Sequence, residues 1–170
     1  MSSNTMLHYR AADETDIDKL IPLGVLAYGQ YRPFMSEDEW QTMLHSLQSR
    51  EMYIGLLGTG KGFVCMSEEK IIGMAFLIYH GNPWSFYPAE WSYVRMVGAD
   101  PCYKGAGVGR QLMQLCINEA IGSGEQVIAL HTSEQMHAAR HIYESLGFTV
   151  EQELPVKYGM KYWLYKMPLQ

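Results

Sequence analysis

Apolar and polar positions along the chain follow two different periods, and each change of period predicts where a strand gives way to a helix. Residues 6–11 alternate as a strand does, and apolar residues then recur at helical spacing from Asp13 to about Tyr31. Residues 36–39, Ser-Glu-Asp-Glu, have the form of a capping box and predict the start of a second helix. Residues 52–57 suit a short strand or loop, and the glycine-rich residues 58–62 suit a turn.

The second half of the chain repeats this mixture of strands and helices. A β-hairpin is expected over residues 63–80, and a central strand over residues 90–99. A helix is expected from Val108 to about Gly122, where glycines favour a stop. Residues 132–135 have capping-box form and predict a further helix, which Gly147 closes. Further strands are expected at residues 126–130, 148–153 and 160–167, and this order of elements indicates an α+β fold with helices on both faces of one sheet.

Composition and charge narrow the possible classes of function without identifying one. With 48% hydrophobic and 18% charged residues, positions 1–170 are expected to form a single domain. Eighteen acidic against thirteen basic residues leave a net charge of −5, which argues against a nucleic-acid partner. We expect no membrane contact, because no stretch resembles a membrane span or a signal peptide. Three cysteines without a C-x-x-C pair indicate neither disulfides nor a zinc ribbon, so a reducing, cytoplasmic location fits best.

The strongest chemical signal is a glycine-rich loop between the expected central strand and the helix that begins at Val108. Residues 100–110 read Asp-Pro-Cys-Tyr-Lys-Gly-Ala-Gly-Val-Gly-Arg. The first N–H groups of a helix lack internal partners and the helix dipole adds partial positive charge, so this junction favours a bound phosphate. Lys104 and Arg110 bracket the loop and could add charged contacts. The residues after the last glycine do not match a nucleotide P-loop, and the glycine spacing does not match a dinucleotide fingerprint.

Two motifs in this order resemble those of the GNAT superfamily of N-acetyltransferases. Residues 104–109, Lys-Gly-Ala-Gly-Val-Gly, are similar to the family's Q/R-x-x-G-x-G/A signature, and residues 139–148 look like its A-x-x-x-Y-x-x-x-G-F junction. The resemblance implies a mixed, mainly antiparallel sheet of about seven strands flanked by about four helices and splayed at the central strand. It also implies acetyl-coenzyme A as cosubstrate, without a metal, and transfer of acetyl to a primary amine of a small molecule or protein by direct attack in a ternary complex. A non-catalytic acyl-coenzyme A binding or sensing module on the same fold is the alternative.

The same resemblance implies roles for individual residues. Tyr143 occupies the position of an acid that protonates the departing thiolate, and a phenol pKa near 10 against about 8.5 for a thiol makes this transfer roughly balanced. The freed backbone of residues 97–99 is expected to pair with the pantetheine arm, and one of its N–H groups to stabilise the oxyanion. The expected cofactor-binding residues are therefore Val97, Gly98, Ala99, Lys104, Gly105, Ala106, Gly107, Val108, Gly109 and Arg110.

The sequence says less about the residues that would bind and deprotonate the acceptor amine. An aromatic cluster lies near the expected acceptor position and serves either as a substrate wall or as core. The general base is open between Glu90, Tyr93 and a water relay. Three histidines of the C-terminal half are interpreted as surface residues rather than metal ligands, because no acidic third ligand is evident. The identity of the amine, a preference for another acyl group and formation of a homodimer are also open. The aromatic residues are Trp84, Phe86, Tyr87 and Trp91, and the histidines are His131, His137 and His141.

Overall fold

One seven-stranded sheet organises the chain in a computed structural model that describes residues 6–169. Its strands lie in the order β1-β2-β3-β4-β5-β7-β6. All neighbouring strands are antiparallel except β4 and β5, which are parallel. The predicted mixed, mainly antiparallel sheet is thus confirmed. The strands are β1 (Leu7–Ala11), β2 (Gly60–Ser67), β3 (Lys70–Ile78), β4 (Ser92–Ala99), β5 (Val127–Ser133), β6 (Thr149–Lys157) and β7 (Met160–Pro168).

Helices cover both faces of this sheet and divide the core in two. The first three helices pack on one face, where Ile17, Leu20 and Tyr53 are fully buried. The last two pack on the other, where Leu112, Cys116 and Tyr143 belong to the second apolar cluster. Short 3-10 turns cover residues 14–16, 32–34 and 101–103. The helices are α1 (Ile17–Gly29), α2 (Glu37–Leu47), α3 (Arg50–Thr59), α4 (Val108–Gly122) and α5 (His137–Leu146).

The helix α3 corrects the expectation of a strand or loop at residues 52–57 and a turn at residues 58–62. Ser49 caps it, since its side chain accepts a hydrogen bond from the Met52 amide at 3.1 Å. The helix continues through its glycines, and β2 begins directly at Gly60. A Cβ at Gly60 would lie 1.8 Å from the Leu77 carbonyl oxygen, so this glycine is required by close strand approach rather than by a turn. The glycine-rich composition therefore indicated the wrong structure.

The segment between β5 and α5 also differs from the expected one. Residues 132–135 do not cap a helix, because β5 runs to Ser133 in register with Tyr162 of β7. The helix α5 begins four residues later, at His137, and its first turn has no side-chain cap. Its predicted end is confirmed, since Gly147 has a left-handed φ of +111°. Pairing with β7 thus outweighed the local capping signal.

The sheet splays between β4 and β5, as expected. The two strands pair only at Ser92 with Ile128 and at Tyr93 with Ala129, and the rest of β4 has no β5 partner. On its other edge β4 pairs with β3, with a register shift opposite Met74–Phe76. Met96 lies at this bulge with a φ of +56°. The bulge and the divergence leave one backbone edge of β4 open beyond Tyr93.

Candidate functional site

The loop that follows β4 is fixed at its start by Asp100. This carboxylate is 5% exposed and accepts a hydrogen bond from the Cys102 amide at 2.9 Å. The Asp100 amide donates to the Ile72 carbonyl at 2.8 Å, which ties the loop to β3, and Lys70 Nζ lies 3.5 Å from the carboxylate. The loop therefore leaves the sheet in a defined direction toward α4.

The glycines of the loop open its backbone to solvent. Gly105 and Gly107 have φ values of +86° and +79°, and no atom lies within 4 Å of where a Cβ would stand on either. Within the described part of the chain, the Gln111 amide is the first in α4 with a backbone acceptor, the Gly107 carbonyl at 3.1 Å. The preceding N–H groups of residues 108–110 have no such partner, and Gly107 has no side chain with which to cap them. The junction thus presents a row of free donors at the positive end of a helix.

The side chains around the loop differ in what they can offer. Lys104 is exposed and forms no ion pair with any residue in the range 6–169. Arg110 Nη2 donates to Ser145 Oγ at 2.6 Å, so this guanidinium links α4 to α5. The Val108 side chain is buried and anchors the helix, because Gly73 of β3 lacks a Cβ that would lie 2.6 Å from it. The backbone is therefore the main donor at the loop.

The predicted pantetheine-pairing segment lies on the open edge of β4. Gly98 and Ala99 pair with β3 on the opposite edge, opposite Met74 and Gly73. The Val97 carbonyl accepts a hydrogen bond from the Tyr28 hydroxyl of α1 at 3.3 Å. One edge of the segment therefore pairs with β3, whereas the edge facing β5 has no strand partner and is available to a ligand.

Tyr143 lies on α5 with 6% of its surface exposed. Its ring packs at tilted angles against Phe148 and Tyr165, with centroids 6.2 and 6.5 Å away. Burial raises the pKa of the Tyr143 phenol, and the nearby Tyr31 raises it further. Burial likewise raises the pKa of Tyr28, with a further contribution from Tyr143. Each of these phenols therefore keeps its proton at neutral pH.

The loop before β4 builds an aromatic pocket on the same face of the sheet as α1. The rings of Tyr87 and Tyr93 stack with centroids 4.2 Å apart, and the Trp84 ring lies 6.1 and 6.5 Å from them. Phe86 meets His131 of β5 edge-on at 5.2 Å. Trp91 lies apart from this pocket, with Lys166 Nζ 5.0 Å from its ring. Three of the four predicted aromatic residues are thus together.

The two candidate side-chain bases are not placed for that role. Glu90 is exposed and precedes β4, which begins at Ser92. Tyr93 is buried, its hydroxyl donates to the Asn82 carbonyl at 2.8 Å, and burial raises its pKa. The Tyr93 hydroxyl is therefore engaged in a structural hydrogen bond, and the Glu90 carboxylate faces solvent.

His131 is not a surface residue, which corrects the sequence-based interpretation. It lies in β5 two residues beyond the last β4–β5 pair, and Tyr87 Oη is 2.7 Å from its Nδ1. Burial lowers the pKa of His131 to about 4, with smaller contributions from Arg95 and Lys157. Arg95 is the second functional candidate that the sequence analysis missed. Its position in an otherwise uncharged strand, residues 91–99, was the available signal.

Residues 6–169 contain neither a metal site nor a membrane-spanning helix, and they form a cleft beside α1. In this range no group of three or more His, Cys, Asp or Glu residues is arranged to hold a metal ion. The helices described there are also too short or too polar to cross a membrane. A cleft of about 580 Å³ lies between α1 and the β2–β3 turn, lined by Lys19, Leu26 and Glu68 among others. Lys70 and Asp100, which form the ion pair at the start of the loop after β4, also line this cleft.

Comparison with known proteins agrees with this geometry. The model of the acetyltransferase (GNAT) family matches residues 27–148. An L-methionine sulfoximine/L-methionine sulfone acetyltransferase from Salmonella typhimurium is 32% identical over 99 residues, which cover 56% of this chain and 57% of that protein. An L-amino acid N-acyltransferase from Escherichia coli is 31% identical over 103 residues, 59% of each chain. The chain therefore spans less than two thirds of the length of these relatives.

Solved structures show the same fold at low sequence identity. A PaiA N-acetyltransferase from Thermoplasma acidophilum, solved with coenzyme A, has a TM-score of 0.77 at 15% identity, covering 96% of this chain and 99% of that one. The yncA protein of Salmonella typhimurium, solved with acetyl-coenzyme A as its cofactor, has a TM-score of 0.70 at 20% identity, covering 97% of this chain and 95% of that one. At these identities the likeness concerns the fold alone.

Proposed function

This chain belongs to the acetyltransferase (GNAT) family, and we propose that it transfers the acetyl group of acetyl-coenzyme A to a primary amine. The observation that carries the proposal is the row of free N–H donors at residues 108–110, which lies at the end of a strand whose edge is open. A diphosphate binds to free N–H groups at the start of a helix, and an extended arm that carries amides pairs with an open strand edge. Relatives of the matched region are named as acyltransferases of amino-acid substrates, which supports the same reaction class.

The residues that would hold acetyl-coenzyme A divide into two groups. The backbone of residues 105–110 would receive the pyrophosphate, and Lys104 is placed to add charge at the rim. The backbone of residues 97–99 would pair with the pantetheine arm, and one of its N–H groups would stabilise the oxyanion. When bound, acetyl-coenzyme A supplies the acyl group as a thioester, whose C–S bond breaks as the N–C bond forms.

We assign the acid role to Tyr143. The assignment rests on the matched family position. Burial raises the pKa of the phenol, which weakens it as an acid, so the transfer requires that the departing thiolate is also bound out of water, where its own pKa rises. The attacking amine loses its proton to water, since neither Glu90 nor Tyr93 is placed to accept it. The proton balance is then one released from the amine and one delivered to sulfur. We propose direct attack of the amine on the thioester in a ternary complex.

We further propose a cytoplasmic enzyme of one domain. Its three cysteines, Cys65, Cys102 and Cys116, are all free, and two of them are buried, as a reducing compartment allows. A homodimer is compatible with this function, and sedimentation analysis would establish it. The net charge of −5 gives no reason to expect a nucleic-acid partner.

A coupled binding and turnover experiment tests the proposed function. Acetyl-coenzyme A should raise the melting temperature, since a ligand at a hundred times its Kd adds roughly 2.7 kcal/mol to the free energy of unfolding. NAD and ATP serve as matched nucleotide controls and should do much less. Release of free thiol is then followed over polyamines, aminoglycosides, amino acids and peptides. Stabilisation by NAD instead of acetyl-coenzyme A would contradict the proposal, and binding without thiol release would point to an acyl-coenzyme A sensor.

A further inference from the structure

Arg95 differs from every other arginine of the chain in the region described. Each of the others donates a hydrogen bond to a carboxylate or hydroxyl of the protein, whereas the guanidinium of Arg95 has neither a hydrogen bond nor an ion pair within residues 6–169. It is also half-buried, while most of the others are exposed. The five paired arginines are Arg10, Arg32, Arg50, Arg110 and Arg140.

The surroundings of Arg95 are aromatic rather than acidic. Its guanidinium carbon lies 3.9 Å from the centroid of the Trp84 ring. Burial lowers the pKa of Arg95, and the phenols of Tyr28, Tyr93 and Tyr87 act in the opposite direction. Because a guanidinium stays charged at any physiological pH, this pocket holds a cation with five N–H donors and one ring contact. Partial burial of such a charge costs free energy unless an anion pairs with it.

The position of Arg95 identifies the substrate that could supply this anion. The residue lies in β4 two positions beyond Tyr93, the last residue that pairs with β5, so it stands at the point where the sheet splays. Ala99, where the strand ends before the glycine loop, is four residues further on, or roughly 13 Å along a strand. The guanidinium is thus too far from the loop to share a pyrophosphate bound there. It lies instead over the Trp84 ring, whose neighbours are Tyr87 and Tyr93, and so faces the aromatic cluster before β4 rather than the loop.

We propose that Arg95 binds the α-carboxylate of the acceptor, so that the amine substrate is a free α-amino acid. This inference rests on the proposed function and names its substrate class. A guanidinium and a carboxylate match as a planar bidentate pair, which fixes the carbon that carries the amine. Trp84 and Phe86 provide apolar surface for the substrate side chain. The relevant substrates are therefore amino acids with apolar or aromatic side chains.

The same contact helps the amine to lose its proton. A cation close to an ammonium group disfavours the charged form and lowers its pKa. Arg95 would therefore increase the fraction of neutral amine in a pocket that provides no carboxylate base within the described residues. Anchoring and activation then come from one side chain, and both depend on a substrate that carries its carboxylate next to its amine.

A comparison of matched substrates tests the anchor. L-phenylalanine and L-methionine are compared with their carboxamides, with 2-phenylethylamine and with short peptides, by kcat/KM from thiol release. The wild type should prefer the free acids by at least about 10²-fold. Arg95→Gln should abolish that preference, Arg95→Lys should retain part of it, and Arg140→Gln should leave it unchanged, since Arg140 also lies over a tryptophan ring, at 4.2 Å from Trp163. Equal turnover of acids and carboxamides by the wild type would overturn the proposal, whether or not the variants fold.

A binding measurement separates this inference from the proposed function. Calorimetry with coenzyme A and L-phenylalanine, which cannot react, reports the anchor alone. Binding by the wild type and its loss in Arg95→Gln would support the anchor even if no amine were acetylated. Thiol release with amines that lack a carboxylate, unaffected by Arg95→Gln, would support acetyl transfer and refute the anchor.

Discussion

The hydroxyl of Tyr87 lies 2.7 Å from Nδ1 of His131, and this contact joins the loop before β4 to β5 on the far side of the splay. The same imidazole is kept neutral by burial and by the charge of Arg95. The contact therefore holds together the aromatic pocket into which the proposed acceptor anchor projects. It also makes the stability of the site depend on pH.

Stability should fall in mild acid because of His131. Its pKa is about 4 in the folded protein against 6.5 ordinarily, so between these values the unfolded chain binds more protons than the folded one. The free energy of unfolding should therefore decrease as the pH falls from about 6.5 to about 4, by up to roughly 3 kcal/mol. Urea unfolding of the wild type and His131→Gln across this range measures the difference. His45→Gln, a change at an exposed histidine of α2, is the control and should retain the wild-type dependence.

Tyr143→Phe should separate catalysis from packing. Loss of the hydroxyl should lower kcat by roughly 10²–10⁴-fold, while acetyl-coenzyme A still binds and the melting temperature changes little. Tyr165→Phe is the matched control, because this neighbouring hydroxyl donates to Glu144 at 2.7 Å and accepts from Arg140 at 3.1 Å. The control should lose stability and keep kcat. A Tyr143→Phe enzyme with full kcat at every pH would remove the residue from the mechanism.

Glycine-to-valine changes should test the loop at two positions with paired controls. Gly107→Val should weaken acetyl-coenzyme A binding by roughly 10²-fold or more, since each lost hydrogen bond to a charged group costs about 1.5–3 kcal/mol. Gly124→Val carries the same backbone strain, with a φ of +80° and open space around it, and should lower stability without affecting the cofactor. Gly109→Val and Gly122→Val form a second pair within α4. Calorimetry showing equal affinity across either pair would contradict the role of the loop.

Ser49→Ala should destabilise the protein by about 1 kcal/mol, because Ser49 caps α3 through the Met52 amide. Ser46→Ala, an exposed change close by that removes no cap, should shift the free energy of unfolding by less than about 0.5 kcal/mol. Urea unfolding compares the two. Equal effects would mean that the first turn of α3 does not depend on its cap.

The sequence by itself determined the features that depend on local spacing. The two apolar runs of the hairpin β2–β3 with their polar turn, the helical period after Val108 and the glycine at position 147 each act within a few residues, and each element was predicted close to its observed bounds. The glycine loop was predictable for the same reason, because residues 90–112 carry the patterns of a strand, a turn and the first turn of a helix one after another. The family motifs extended this to the splayed sheet.

Only the tertiary structure decided what depends on partners distant in sequence. Residues 50–59 form a helix because Tyr53 and Leu56 reach the core, and burial outweighs the glycines in that segment. The capping signal at residues 132–135 lost to pairing with β7. His131 and Arg95 lie on two strands that diverge after Tyr93 and Ala129, and Trp84 of the preceding loop neighbours both side chains. No local pattern encodes a divergence between strands separated by a helix, so the acceptor pocket could be recognised only after the fold had brought its walls together.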